Sequence, residues 1–304
     1  MILDSITSFV RGFAMGTADL VPGVSGGTIA LVFGIYEKLV ASIRAGSSAL
    51  GSLVRADVTG FRRWMGEVEW RFIIPLGMGI LFAVVSLAQV ISDLLHNEPV
   101  LMASLFVGLV AGSMVVAWNM IRRPEAAHLW IALAVGVVVF FLLGLRSGTT
   151  EDTVQQVTDP AMWAYFGAGA IAICAMILPG ISGSFILIML GMYTPVLGAV
   201  TDRNVGVVLI FMVGAVVGLA LFSQLLHRAL TTRHDVVLAA LVGLMGGSLR
   251  VLWPWPLGVD STKLGSPDSD VALALVMAVI GFGFVLVIAR FAAQIEESNA
   301  PSTD

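Results

Sequence analysis

Leu20 to Thr28 reads LVPGVSGGT, and Ile177 to Phe185 reads ILPGISGSF. Each stretch lies inside a long apolar run. A proline and several glycines are poor material for a helix interior, so both runs are broken, and with almost the same residues. Placing Pro22 over Pro179 also brings Gly23 onto Gly180, Ser25 onto Ser182, Gly26 onto Gly183, Gly34 onto Gly191 and Tyr36 onto Tyr193. Further along, VGLVAGS at 107–113 lies over VGLMGGS at 242–248, with Gly79 over Gly214, Gln89 over Gln224 and Trp118 over Trp253. The spacing between the two blocks differs because a polar linker at 44–71 has a much shorter counterpart near 201–205. The chain is therefore read as two copies of one unit.

Composition says what kind of unit. Of 304 residues, 58% are hydrophobic and 12% charged, about half the charge of an ordinary soluble domain. Several apolar runs reach the roughly 20 residues that cross a bilayer, so the expected class is an all-α polytopic membrane protein. A formal net charge of −4 argues against nucleic acid as a partner. One cysteine, Cys174, excludes an intrachain disulfide and a cysteine-based metal cluster.

The first copy is assigned to 1–150, with a broken segment at 7–43 and spans at 72–94, 100–120 and 129–145. The second is assigned to 160–290, with a broken segment at 161–200 and spans at 206–226, 236–253 and 270–290. A polar tail, 291–304, follows. If each broken segment enters and returns to its own side as a helical hairpin, each copy makes an odd number of crossings and the two are inverted. Twelve basic residues then share one side (Arg11, Lys38, Arg44, Arg55, Arg62, Arg63, Arg71, Arg122, Arg123, Arg228, Arg233 and Arg290), against three on the other (Arg146, Arg203 and Lys263). If each broken segment crosses once, that bias largely disappears. The hairpin reading is preferred. Parity leaves open whether the hairpins are re-entrant or span fully; the short arm before Pro22 favours re-entrant. Inverted repeats around discontinuous helices are a common plan of secondary transporters.

Unwound backbone is tolerated at membrane depth only where protein or a watery cavity covers it. Pro22 and Pro179 end the incoming arms, Gly23 and Gly180 allow the reversal, and Ser25 and Ser182 are good N-caps for the returning arms. Free N–H groups are expected at Gly26, Gly27, Thr28, Gly183 and Ser184, where a helix start favours an anion. Two such tips meeting near mid-membrane would suit a phosphate or carboxylate. The plainer alternative is that the small residues merely let helices pack closely.

Ionisable residues in such segments are functional candidates. Arg250, in GSLRVLWPW, could clasp a phosphate through paired hydrogen bonds; the alternative is snorkelling to an interface marked by Trp253 and Trp255. Asp19 is a candidate to carry a proton, bind a cation or pair with Arg250, against a local hydrogen bond to the backbone of the turn. Glu37 is either a coupling residue or a solvated interfacial carboxylate. Arg11 is either a headgroup contact or a positive-side anchor. The four histidines, His96, His128, His227 and His234, show no metal-ligand spacing, and no metal or cofactor is expected. Readings left open are a carrier, a small-anion channel or ion-coupled anion transporter, and, with least support, an intramembrane enzyme.

GTADLVPGVSGGTIALVFGIYEKL, ILPGISGSFILIMLGMY and GSLRVLWPW, in that order, resemble the PopT-type polyprenyl-phosphate translocases over about 10–290. The resemblance implies a carrier in the bacterial plasma membrane that returns undecaprenyl phosphate from the outer to the inner leaflet for cell-wall synthesis, and no enzymatic step. It extends to Asp19, Pro22, Gly23, Ser25, Gly26, Gly27, Thr28, Glu37, Pro179, Gly180, Ser182, Gly183, Ser184 and Arg250. The driving force stays open between H+, Na+ and downhill exchange.

Overall fold

The computed structural model describes residues 2–21, 24–144, 155–256, 258, 264–267 and 270–299. Pro22 and Gly23, and the basic positions Arg146 and Lys263, lie outside the described residues. Among those described, the regular elements are helices: α1 (Ile2–Asp19), α2 (Gly26–Val32), α3 (Tyr36–Val54), α4 (Val58–Glu67), α5 (Trp70–Asn97), α6 (Pro99–Asn119), α7 (Ala126–Gly144), α8 (Met162–Ile177), α9 (Gly183–Met189), α10 (Tyr193–Thr201), α11 (Val205–Thr232), α12 (His234–Ser248) and α13 (Val271–Asn299).

α5, α6, α7, α11 and the Val271–Phe291 part of α13 are each long and apolar enough to cross a bilayer. α9 and α10 together are apolar enough for a further span but are bent by 111°. The protein is thus an all-α polytopic membrane protein. α12 stops at Ser248, short of the expected 253, because the next amides fold back in tight turns: Arg250 N donates to Gly247 O, Val251 N to Ser248 O and Leu252 N to Leu249 O. Pro254 then prevents the helix from resuming. The linker at 44–71 is itself helical. α3 runs on to Val54, and Asp57 caps α4 by accepting from Gly60 N at 2.8 Å. α13 likewise continues past 291 into the expected tail.

Glycine sets how the long helices pair. A methyl group on Gly16 of α1 would lie 2.6 Å from the Ile80 carbonyl oxygen of α5, and one on Gly218 of α11 would lie 2.5 Å from that of Ala170 in α8. Gly12 meets Leu76 as Gly16 meets Ile80, and Gly214 meets Phe166 as Gly218 meets Ala170. Both pairs are therefore parallel. In the same way Gly108 and Gly112 of α6 face Ala278 and Phe282 of α13, and Gly243 and Gly247 of α12 face Ala132 and Gly136 of α7. With no water to expel from lipid, such close backbone approach supplies the packing that holds helices together.

The parallel pairing of α1 with α5 has a topological result. The chain between Asp19 and Trp70 must return to the end where α1 began. α1 is 18 residues, about 27 Å, and its contacts carry Asp19 to roughly the middle of the 28-residue α5. The return runs through α2, a left-handed Gly34 (φ +67°), then α3 and α4. Gly191 (φ +69°) makes the corresponding corner between α9 and α10, a conformation glycine adopts without strain. The tightest part of the core surrounds the first break: Val21, Val24, Leu31, Tyr36, Leu76, Val110, Leu238, Met245 and Leu252 are all buried. A smaller cluster around Tyr165, Ala172, Leu187 and Met192 covers the second.

Candidate functional site

The two breaks touch. Ser25 caps α2 by accepting from Gly27 N at 3.1 Å, and its hydroxyl donates to Met176 O of the second arm at 3.0 Å. Gly180 N donates to the Thr28 hydroxyl at 3.0 Å, and Tyr36 OH donates to Ile177 O at 3.2 Å. Three hydrogen bonds thus tie residues more than 140 positions apart. Ser25, Thr28 and Tyr36 are each about 1% exposed. Backbone freed by the second break, which would be costly in lipid, is satisfied by side chains of the first. Gly180 has φ +86° and packs on Met245 and Ser248 of α12, which brings that helix to the junction.

The expectation of free N–H groups at the first tip is corrected. Gly26 N donates to Asp19 Oδ1 at 2.6 Å, Gly27 N to Ser25 Oγ, and Thr28 N to Ser25 O at 2.9 Å. A carboxylate three residues before Pro22 reaches across the break and takes the place an anion would have at the start of α2. Asp19 therefore makes the local bond to the turn and is not paired with Arg250.

The second tip differs. Ser182 precedes α9 without capping it; its hydroxyl lies 2.8 Å from that of Ser184. The first-turn N–H groups of Gly183 and Ser184 have no acceptor among the described residues. Gly183 and Ser184 line a cavity of about 260 Å³ walled also by Asp19 of α1, by Ala172 and Met176 of α8, and by Phe211 and Ala215 of α11. Met176 and Ser184 are exposed, so the cavity opens on the outer surface of the bundle.

Arg250 is not in this cavity. Its guanidinium carbon lies 4.7 Å from the centroid of the Phe140 ring, where the charge meets the ring's negative face. Gly144 leaves the room: a methyl group there would lie 2.6 Å from that carbon. Glu37 sits at the start of α3, half exposed, with Oε1 2.8 Å from His234 Nε2; His234 Nδ1 is 3.0 Å from Asp235 Oδ1. Asp235 also accepts from the amides of Arg122 and Arg123. Arg11 lies 5.9 Å from the Phe33 ring centroid. Of the sequence candidates, the structure brings Ser25, Thr28 and Gly180 to one place, and sets Arg250, which the sequence put with the tips as one phosphate site, apart from them along with Glu37 and Arg11. Sequence reasoning missed Tyr36, whose alignment with Tyr193 was visible, and His234, whose partner is nearly two hundred residues away. Among the described residues no group of three or more His, Cys, Asp or Glu side chains could hold a metal ion.

A family model described as undecaprenyl phosphate translocase-like matches residues 15–266. The chain is 41% identical over 257 residues to a polyprenyl-phosphate transporter of Vibrio cholerae, covering 83% of this chain and 79% of that one. It is 29% identical over 302 residues to a polyprenyl-phosphate transporter of Staphylococcus aureus, covering 95% and 98%. No solved structure matches.

Proposed function

The chain belongs to the undecaprenyl phosphate translocase-like family, and from that premise we propose that it carries a polyprenyl phosphate from the outer to the inner leaflet of a bacterial plasma membrane. The observation that carries this reading is the unoccupied first turn of α9 opening sideways from the junction of two broken segments. A lipid phosphate needs a polar place for its head at membrane depth, since an unpaired charge in hydrocarbon is prohibitive. Its chain can stay outside, which requires a lateral opening rather than a pore. The N–H groups of Gly183 and Ser184, with the Ser182 and Ser184 hydroxyls, replace the water of the head. Gly26, Gly27 and Thr28 hold the first tip in register, and Asp19, on the wall of the same cavity, is the residue we place in coupling, with H+ or Na+ as the ion. Arg250 takes the phosphate at a separate point of the path.

The helix directions support the inverted-repeat reading. α7 runs parallel to α12, and α6 to α13. α5 and α6 are joined by one residue, as are α11 and α12, and too little bilayer exists for either pair to continue straight. α5 and α11 then run oppositely, and so do α1 and α8. The basic residues near Arg44, Arg71, Arg122 and Arg228 mark the cytoplasmic side.

The test is movement of polyprenyl phosphate between leaflets of liposomes, comparing the wild type with Ser184→Ala and Arg250→Ala. Loss of a charge-assisted contact to the head should slow transport about tenfold or more in each. A wild-type preparation, shown to be folded, that moves no polyprenyl phosphate would overturn the carrier and direct the measurement to small-anion flux.

A further inference from the structure

A second cavity lies away from the tips. About 480 Å³ of space runs along the face where α6, α7 and α12 meet. Its walls are Met114 and Trp118 of α6 and the row from Leu129 to Phe141 of α7, and glycines lie in its floor. Gly136 and Gly243 press backbone to backbone: a methyl group on Gly136 would lie 3.1 Å from the Gly243 carbonyl oxygen. Gly246, one turn on, has only the Met114 methyl near it, at 3.1 Å. The result is a slot about 18 Å long with three glycines, Gly136, Gly243 and Gly246, in its floor beside Ala132 and Val242, open along its length; Phe141 at one lip is 65% exposed.

One end of this slot is charged. Phe140 lines it, and the Arg250 guanidinium stacks on Phe140. Arg250 is not ion-paired with a carboxylate among the described residues. A cation at one end of a narrow apolar slot is complementary to an anion that carries one long apolar chain. The direction also fits. On the orientation above, Arg250 lies beside the outer end of α7 and the slot descends from it, as the chain of an outer-leaflet lipid descends from its head. Arg250 is held between Gly144 and Phe140, where a phosphomonoester presents its oxygens to a guanidinium with no further head group to accommodate.

We propose that the α6–α7–α12 groove and Arg250 form a loading site that takes a prenyl phosphomonoester from the outer leaflet, phosphate on Arg250 and isoprenoid chain in the groove. This rests on the carrier reading and adds to it a site for the chain and a stage before the tip cavity. Because a lipid chain has no water to escape, the groove selects by shape rather than by hydrophobic gain. Filling it should therefore exclude a long chain by steric conflict and leave the head contact intact.

The experiment uses the full chain in nanodiscs, with binding read by native mass spectrometry for a long-chain polyprenyl phosphate and for dimethylallyl phosphate, a five-carbon head with almost no chain. Gly246→Phe fills the groove floor where the neighbour is a flexible methionine; Val137→Trp narrows it from the exposed lip, so the test survives if the first variant fails to fold. Each should weaken the long-chain ligand about tenfold or more and leave the five-carbon ligand within twofold, while Arg250→Gln weakens both. A groove variant that weakens neither ligand, or both alike, overturns the proposal. So does phosphatidylglycerol that competes as well as polyprenyl phosphate at equal mole fraction. If the wild type moves the lipid in liposomes yet the groove variants bind normally, the groove falls and the carrier stands; if the wild type neither binds nor moves it, the carrier reading falls too.

Discussion

At Thr28, one hydroxyl joins the two breaks. Thr28→Val keeps the shape but leaves the Gly180 N–H buried without an acceptor, at a cost of about 1–3 kcal/mol. Thermal unfolding in detergent should show a lowered midpoint for Thr28→Val and a near-normal one for Thr28→Ser; equal midpoints would remove the hydrogen bond from the account. Gly144 gives a second prediction. Alanine there meets the far end of a flexible side chain, so Gly144→Ala should fold normally and still lower transport by displacing the Arg250 guanidinium from Phe140. Unchanged transport would show that the position of the charge is immaterial. Residue identity announced some of this. The doubled PG-x-SG pattern marked Ser25 and Ser182 as caps, yet only Ser25 caps by its side chain. At the first tip Asp19, close in sequence, was legible as a partner of the turn, whereas Met176 O, which takes the Ser25 hydroxyl from 151 residues away, leaves no mark in the local sequence.

The pairs of long helices depend on glycines whose removal drives a side chain into backbone. Gly16→Val and Gly218→Val place bulk against a carbonyl of the facing helix. Each should destabilise by about 1–3 kcal/mol or more, seen as a lower unfolding midpoint. Gly77, with open space around it, is the control: Gly77→Ala should leave the midpoint unchanged. Elements were legible where the signal was apolar length, so the spans appeared near their observed places. They were poorly legible where a helix is not needed to cross the membrane. α4, in the linker, buries none of its residues; its apolar positions Val58, Phe61, Trp64 and Met65 do recur at helical spacing, but with Arg62 and Arg63 between them they make no apolar run of membrane length. The stop of α12 at Ser248 is set by turn hydrogen bonds and Pro254, which the hydropathy of VLWPW conceals.

Across the whole molecule, a carrier must change the relation between its parts, and one contact allows that to be tested. Ser47 of α3 and Ser223 of α11 lie buried with hydroxyls 3.4 Å apart, within reach of disulfide geometry. In a Cys174→Ala background, Ser47→Cys with Ser223→Cys should stop transport when oxidised and recover it on reduction. Full activity of the cross-linked protein would place the moving boundary elsewhere. The recurrence of glycine, proline and tryptophan in register was legible, and the two-copy reading rests on it. How helices of the two halves interleave was not, since pairing between distant helices leaves no periodic trace.

That interleaving also bears on how the chain comes into being. α6 takes its close partner from the last helix, α13, and α7 takes its own from α12. When α6 leaves the ribosome at Asn119, the stretch that will cover its glycine face, ending at Asn299, is still unwritten. At about 5–20 residues per second, the wait is roughly nine to thirty-six seconds. Throughout that interval Gly108 and Gly112 lie open to whatever helix the insertion machinery has beside them. A nascent chain arrested at residue 150 should therefore be inserted yet unassembled, and so open to the quality-control proteases of the membrane until α12 and α13 arrive.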